Sequence, residues 1–163
     1  MLSADRDIIE FIGGGSITID CNDFIFGIGK LRSGASDIHP QPDHRSAGTL
    51  ASCMDRYRGE FLEGFNLKDS PEFDSWQVIK REELRQLAVW ALERLAEYNS
   101  VESRFDDALA FARRRLSLDN LDEAAHRALM LIYARSGKRN AALHQYQECC
   151  RILREELDQE PDE

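Results

Sequence analysis

Two segments that recur at a fixed spacing along the sequence constrain the fold of this chain most strongly. The pair Ala108–Leu109 returns as Ala142–Leu143, and Arg104 is matched in charge by Lys138 at the same spacing. Apolar periodicity predicts a helix at each place, and only a few residues separate it from the helix before it. Neighbouring helices joined by such short connections must run antiparallel.

This spacing, made of helix–turn–helix units, is the period of tetratricopeptide repeats. The small side chain at Ala108 or Ala142 lets the second helix of a pair approach the first closely, and Gly137 turns the chain back. Such units bury their apolar faces only by stacking. We therefore predict an all-α fold of tetratricopeptide-like antiparallel helical hairpins, with a small N-terminal β-hairpin. A non-repetitive helical bundle is the alternative, since Tyr98 to Ala108 spans one residue more than Tyr133 to Ala142.

The longest helix is predicted over Phe73–Tyr98, which contains no glycine or proline. Ser70 is a candidate N-cap, and Pro71 suits the first helical position because its missing N–H would be unpaired there. Asn120 and Glu123 form a possible variant of the capping box for a later helix. One face of the long helix is apolar, and its residues are Leu84, Leu87, Ala88, Ala91, Leu95 and Tyr98.

The chain divides into two predicted regions. Residues 1–21 contain the predicted β-hairpin, in which Ile8–Ile12 and Ser16–Asp20 flank the three glycines at 13–15. Residues 22–163 form the helical domain, with a mobile loop near 34–47 rich in proline, glycine and small polar residues. An acidic tail ends the sequence, and a solvated terminus is its simplest interpretation.

The distribution of charge argues against direct binding of a nucleic-acid backbone. The net charge is −9, and residues 155–163 hold six acidic residues and no basic one. The body of the chain is therefore close to neutral, whereas phosphate binding depends on clustered lysines and arginines. No stretch is apolar enough for a membrane span, and no secretory signal opens the chain. We expect a cytoplasmic protein without membrane contact.

No set of residues predicts catalysis, a metal site or a cofactor. His39 and His44 lie near Asp37 and Asp43, but no structural metal spacing is met. Cys149 and Cys150 are adjacent on a predicted helix, where packing is a better explanation than a strained disulfide. We therefore expect no catalytic residue, no metal and no cofactor.

Four segments, taken in order, resemble a family of bacterial regulators. They are YRGEFLEGF at Tyr57–Phe65, FDSWQVIKREELRQLAVWALERLA at Phe73–Ala96, EAAHRALMLIYARSGKRNAALHQYQECCRILREEL at Glu123–Leu157, and the pair Glu160–Pro161. Together they resemble the bacterial transcriptional activator domain. The resemblance implies a tetratricopeptide-like module that commonly follows a winged-helix DNA-binding domain, so residues 1–21 would lead from such a domain. The sequence holds no recognition helix, and DNA binding is expected only through a domain that is not in this chain.

The repeat register also predicts a partner-binding groove. In stacked helix pairs the first helix of each pair lines a concave face. Extrapolating the register places Arg127, Leu131 and Arg135 on this face, with Leu92 and Asn99 beside them. The two arginines lie roughly two helical turns apart and suit an acidic peptide. The alternative is a simply exposed cationic helix face.

Three functions remain possible at this point. The first is a non-catalytic regulatory and protein-interaction module of a bacterial transcription regulator, acting through self-association as a homodimer or through a protein partner. The second is a stand-alone tetratricopeptide-type adaptor with no transcriptional role. An enzyme is the third, and it is disfavoured because no nucleophile–base pair or metal set has usable spacing.

Overall fold

Helices make up almost all of the chain that the structure describes. The computed structural model describes residues 2–4, 9–11, 20–34 and 42–161. Two three-residue strands come first, β1 (Leu2–Ala4) and β2 (Ile9–Phe11). The helices follow as α1 (Asp20–Gly34), α2 (His44–Met54), α3 (Pro71–Val101), α4 (Phe105–Leu118), α5 (Glu123–Arg135) and α6 (Arg139–Leu157). The predicted all-α class is confirmed.

The predicted N-terminal hairpin is not supported. β2 pairs antiparallel with β1, so that Leu2 lies opposite Phe11, whereas the sequence indicated pairing with Ser16–Asp20. Asp20 instead begins α1, and its carboxylate accepts a hydrogen bond from the amide of Cys21 at 2.8 Å. A carboxylate that satisfies an amide left free at a helix start favours helix over strand at this position. Residues 12–19, with the three glycines, lie outside the described residues.

The predicted loop near 34–47 is shorter at its C-terminal side, because α2 already begins at His44. The carboxylate of Asp43 caps this helix by accepting a hydrogen bond from the amide of Ser46 at 2.7 Å. This hydrogen bond lowers the pKa of Asp43. Residues 35–41 lie outside the described residues, so the predicted mobility of the loop stays a prediction.

α3 connects two apolar clusters. Its predicted apolar face is buried, as the sequence indicated, except that Leu87 remains partly accessible. The first cluster joins α3 to the N-terminal helices through residues such as Phe24, Ile28 and Leu50. The second joins α3 to α4 and α5 through residues such as Ala96, Leu109 and Leu129. A single long helix therefore holds the N-terminal helices and the helical repeats together.

The C-terminal part consists of successive antiparallel helical pairs. α3 packs on α4, α4 on α5 and α5 on α6, and connections of three or four residues separate these helices. Ala108 is completely buried where α4 approaches its neighbours. Gly137 has a φ of 75°, which is the left-handed stop that the sequence predicted for α5.

Two of the predicted helix caps are wrong. Ser70 precedes Pro71, the first residue of α3, but its side chain makes no capping hydrogen bond. α5 is capped by Asp122 instead of Asn120, because the Asp122 carboxylate accepts the amide of Ala125 at 3.0 Å. No helix in the described part of the chain is long and apolar enough to cross a membrane.

Candidate protein-binding groove

A groove of about 440 Å³ lies between α3 and α5, with α4 contributing to its floor. The two first helices of successive helical pairs form its walls, as expected for stacked repeats. Small or apolar side chains line the floor. They are Ala96, Ala112, Ala128, Leu131 and Ile132. A concave, mostly apolar surface with charged edges suits an extended or helical protein segment.

Three of the five predicted groove residues line this groove. Arg127, Leu131 and Arg135 all lie along α5 and border it. Leu131 is 59% exposed, and both arginines are exposed as well. Because α5 rises about 1.5 Å per residue, the two arginines are about 12 Å apart along the helix axis. The structure thus brings together a leucine flanked by two guanidinium groups.

Leu92 and Asn99 do not line the groove, so these two predictions are wrong. Leu92 is fully buried in the apolar cluster that α3 forms with α1 and α2. Asn99 is also buried, and its amide donates to the carbonyl oxygen of Leu95 at 2.7 Å. The physical reason is that the N-terminal helices cover the face of α3 that corresponds to the open face of α5.

Other residues of α3 form the opposite wall, and the sequence did not indicate them. They are Glu93, Ala96, Glu97 and Ser100. A carboxylate on a helix surface is an ordinary feature, so their residue types carried no signal. Their position follows from how α3 is rotated against α4 and α5, which no local pattern reports.

The carboxylates of this wall are matched by arginines. Glu97 forms an ion pair with Arg94 at 3.0 Å, and Glu93 forms one with Arg115 at 3.4 Å. Arg115 is buried and also pairs with Asp122 at 2.8 Å. Attraction between these opposite charges offsets the negative potential that the two glutamates would otherwise place in the groove.

The arginines of α5 keep their positive charge available. Arg135 donates to the hydroxyl oxygen of Ser100 at 3.1 Å, across the groove. A hydroxyl is a neutral acceptor, so this hydrogen bond orients the guanidinium without neutralising it. Arg127 is exposed near the other end of the groove. The lining holds three arginines against two glutamates, which favours a negatively charged ligand.

His126 holds α5 in place from behind the groove, and the sequence did not single it out. Its Nε2 lies 3.1 Å from the carbonyl oxygen of Asn120, and its Nδ1 lies 2.7 Å from the amide nitrogen of Gln145. Since the carbonyl only accepts, Nε2 carries the proton and Nδ1 accepts from the amide. The signal for this role is a histidine three residues before the buried Leu129, on the apolar face of α5.

The described residues show no arrangement suited to catalysis or metal binding. No group of three or more histidine, cysteine, aspartate or glutamate residues among them could hold a metal ion. Burial raises the pKa of the Cys53 and Cys149 thiols, which lowers their thiolate content. Glu82 has its pKa lowered to about 2 by hydrogen bonds from Arg85 and Gln86, but this carboxylate is exposed. Of the predicted metal candidates, His39 and Asp37 lie outside the described residues.

Comparison with family models matches residues 29–163 to the bacterial transcriptional activator domain. No curated protein and no solved structure matches the chain. The matched range covers most of the sequence and includes every helix that forms the groove. It agrees with the resemblance found in the sequence, and the family is regulatory. The chain therefore belongs to the bacterial transcriptional activator domain family.

Proposed function

We propose that this chain is the regulatory, protein-interaction module of a bacterial transcription regulator, and that the groove between α3 and α5 binds an acidic segment of a protein partner. Membership of the family supports the regulatory part of the proposal. The shape and charge of the groove support the interaction part. Contact with DNA falls to a separate domain, because a net charge of −9 does not favour phosphate binding by this one.

The exposed face of α5 is the observation that carries the proposal. Leu131 offers an apolar side chain in the middle of the groove, and Arg127 and Arg135 offer a positive charge on each side of it. The carboxylates on the facing wall already have ion-pair partners at 3.0 and 3.4 Å. A segment with an apolar residue between two carboxylates would therefore meet matching chemistry at all three positions.

Charge reversal on α5 tests the groove. The probe is a fluorescein-labelled peptide with two glutamates eight residues apart and a leucine midway, measured by fluorescence anisotropy. We expect the double variant Arg127→Glu/Arg135→Glu to weaken binding by about tenfold or more, since two exposed ion pairs worth up to about 1 kcal/mol each are lost and replaced by repulsion.

A matched control separates the groove from general electrostatic attraction. The double variant Arg32→Glu/Arg45→Glu changes the net charge by the same amount, at exposed positions on α1 and α2. Binding should be close to that of the unmodified chain. Equal loss of affinity in the two double variants would show that the peptide responds to net charge and that the groove is not its site.

We also propose that the module self-associates, as the sequence analysis anticipated. Several large apolar side chains remain exposed on its helices, among them Val78 on α3 and Leu143 and Tyr146 on α6. Covering such surfaces is a common driving force for association. Static light scattering of the full chain over a range of concentrations measures the mass directly, and a monomer at every concentration would contradict this part of the proposal.

A further inference from the structure

The repeat leaves one face of α6 without a covering helix. α4 and α6 are equivalent helices of successive repeat units. On α4, Leu109 and Ala112 are only 3% and 1% exposed, because they pack into the cluster that includes Leu129 of α5. Their counterparts on α6, Leu143 and Tyr146, are 55% and 51% exposed. Within the described part of the chain no helix follows α6 to do for it what α5 does for α4.

The uncovered residues of α6 form a continuous stripe. Leu143, Cys150 and Leu157 follow one another at intervals of seven residues, and Tyr146 lies between the first two. Leu157 is also well exposed, and Cys150 is half-buried. Spacings of three, four and seven residues bring side chains to one side of a helix, which is the pattern of a helix that packs lengthwise against another helix.

The charges at the ends of α6 indicate which helix covers this stripe. Arg139 lies at the N-terminal end, where the first turn has no acidic residue, and Glu156 and Asp158 lie at the C-terminal end. Arg154 is the basic residue of the last turn, but it pairs with Glu160 at 2.5 Å. This distribution opposes the helix dipole, which favours acidic residues at the N-terminus and basic residues at the C-terminus.

An antiparallel copy of the same helix removes this conflict. It places the acidic C-terminal end of one α6 beside the basic N-terminal end of the other, at both ends of the pair. The two helix dipoles then also run in opposite directions. α6 is thus complementary in charge to itself when reversed, and its apolar stripe is self-complementary about its midpoint. An unrelated helix would need to reproduce both features.

We propose that the chain forms a two-fold symmetric dimer in which α6 packs antiparallel against α6 of a second copy, with the symmetry axis near Cys150. Leu143 of one copy then packs near Leu157 of the other, at each end of the seam. A two-fold interface uses the same patch on both subunits, as this arrangement requires. The inference rests on the self-association part of the proposed function and does not involve the groove.

A pair of matched variants tests the interface. Leu143→Glu puts two carboxylates into the apolar seam of each dimer, and we expect it to raise the dimer Kd by about a hundredfold. Val78→Glu makes the same change at an exposed position on α3, and it should leave the Kd unchanged. Sedimentation equilibrium of the full chain measures both, and circular dichroism checks that each variant is folded.

Cross-linking with a short bismaleimide gives a second readout. Cys150 is half-buried on the stripe, Cys21 is half-buried on α1, and the other two cysteines are buried. We expect a covalent dimer that Cys150→Ser abolishes and Cys21→Ser retains.

The possible outcomes separate the inference from the proposal on which it rests. A dimer that is lost with Leu143→Glu and cross-linked through Cys150 supports the α6 interface. A dimer that survives Leu143→Glu, or that dissociates with Val78→Glu instead, overturns the α6 interface but leaves self-association in place. A chain that is monomeric at every concentration overturns both, and neither result bears on peptide binding in the groove.

Discussion

Truncating Leu92 distinguishes a core residue from a groove residue. Leu92 is fully buried in the cluster shared with α1 and α2. Leu92→Ala removes three carbon groups, which costs about 2 kcal/mol in lost burial, and the cavity left behind adds about 1 kcal/mol. We therefore expect the free energy of unfolding to fall by about 3 kcal/mol. For a chain of this length that corresponds to a decrease in Tm of about 9 °C.

Leu131→Ala is the matched comparison, because it is the same substitution on a side chain that is 59% exposed. Its cost should stay below about 1 kcal/mol, but it should weaken binding of the acidic peptide, whereas Leu92→Ala should not. Urea unfolding followed by far-UV circular dichroism measures both stabilities, and fluorescence anisotropy measures both affinities. If Leu92→Ala cost less than Leu131→Ala and weakened the peptide equally, Leu92 would face the groove and the described packing of α3 would be wrong.

Two further predictions concern charged side chains. Asp122→Ala removes the cap on the Ala125 amide and one partner of the buried Arg115, so urea unfolding should show a loss of about 2–4 kcal/mol; Asp122→Asn, which keeps the cap, should lose less. Glu82 should titrate by NMR with a midpoint near 2, and Arg85→Met should raise it. Because the folded pKa lies below the unfolded value, this contribution, under about 1 kcal/mol for so exposed a group, is present above about pH 4.5 and disappears as the pH falls toward 2.

Local signals were enough to predict where most helices lie. The absence of glycine and proline, together with the apolar periodicity, predicted α3, and Pro71 is its first residue. Gly137 ends α5 with a positive φ, as only a residue without a side chain does readily. These features depend on a few neighbouring residues, which is why a sequence reports them well.

Features that depend on competition between neighbours were predicted less well. Asn120 and Asp122 are both good N-cap residues, and the choice of Asp122 follows from the buried Arg115, which its carboxylate also binds. β2 was expected to pair with the segment after it, but its observed partner is β1. In each case a contact supplied by another part of the chain decides between local alternatives of similar energy.

The groove divides in the same way. The helical periodicity of α5 by itself places Arg127, Leu131 and Arg135 along one side, and the repeat spacing indicates the stacked pairs that leave this side open. Whether the matching side of α3 is open depends on what packs against it. α1 and α2 bury Leu92 there, so that Glu93 and Glu97 face the groove instead. A rotation of one residue changes the direction of a side chain by about 100°, and only the tertiary contacts of a helix determine that rotation.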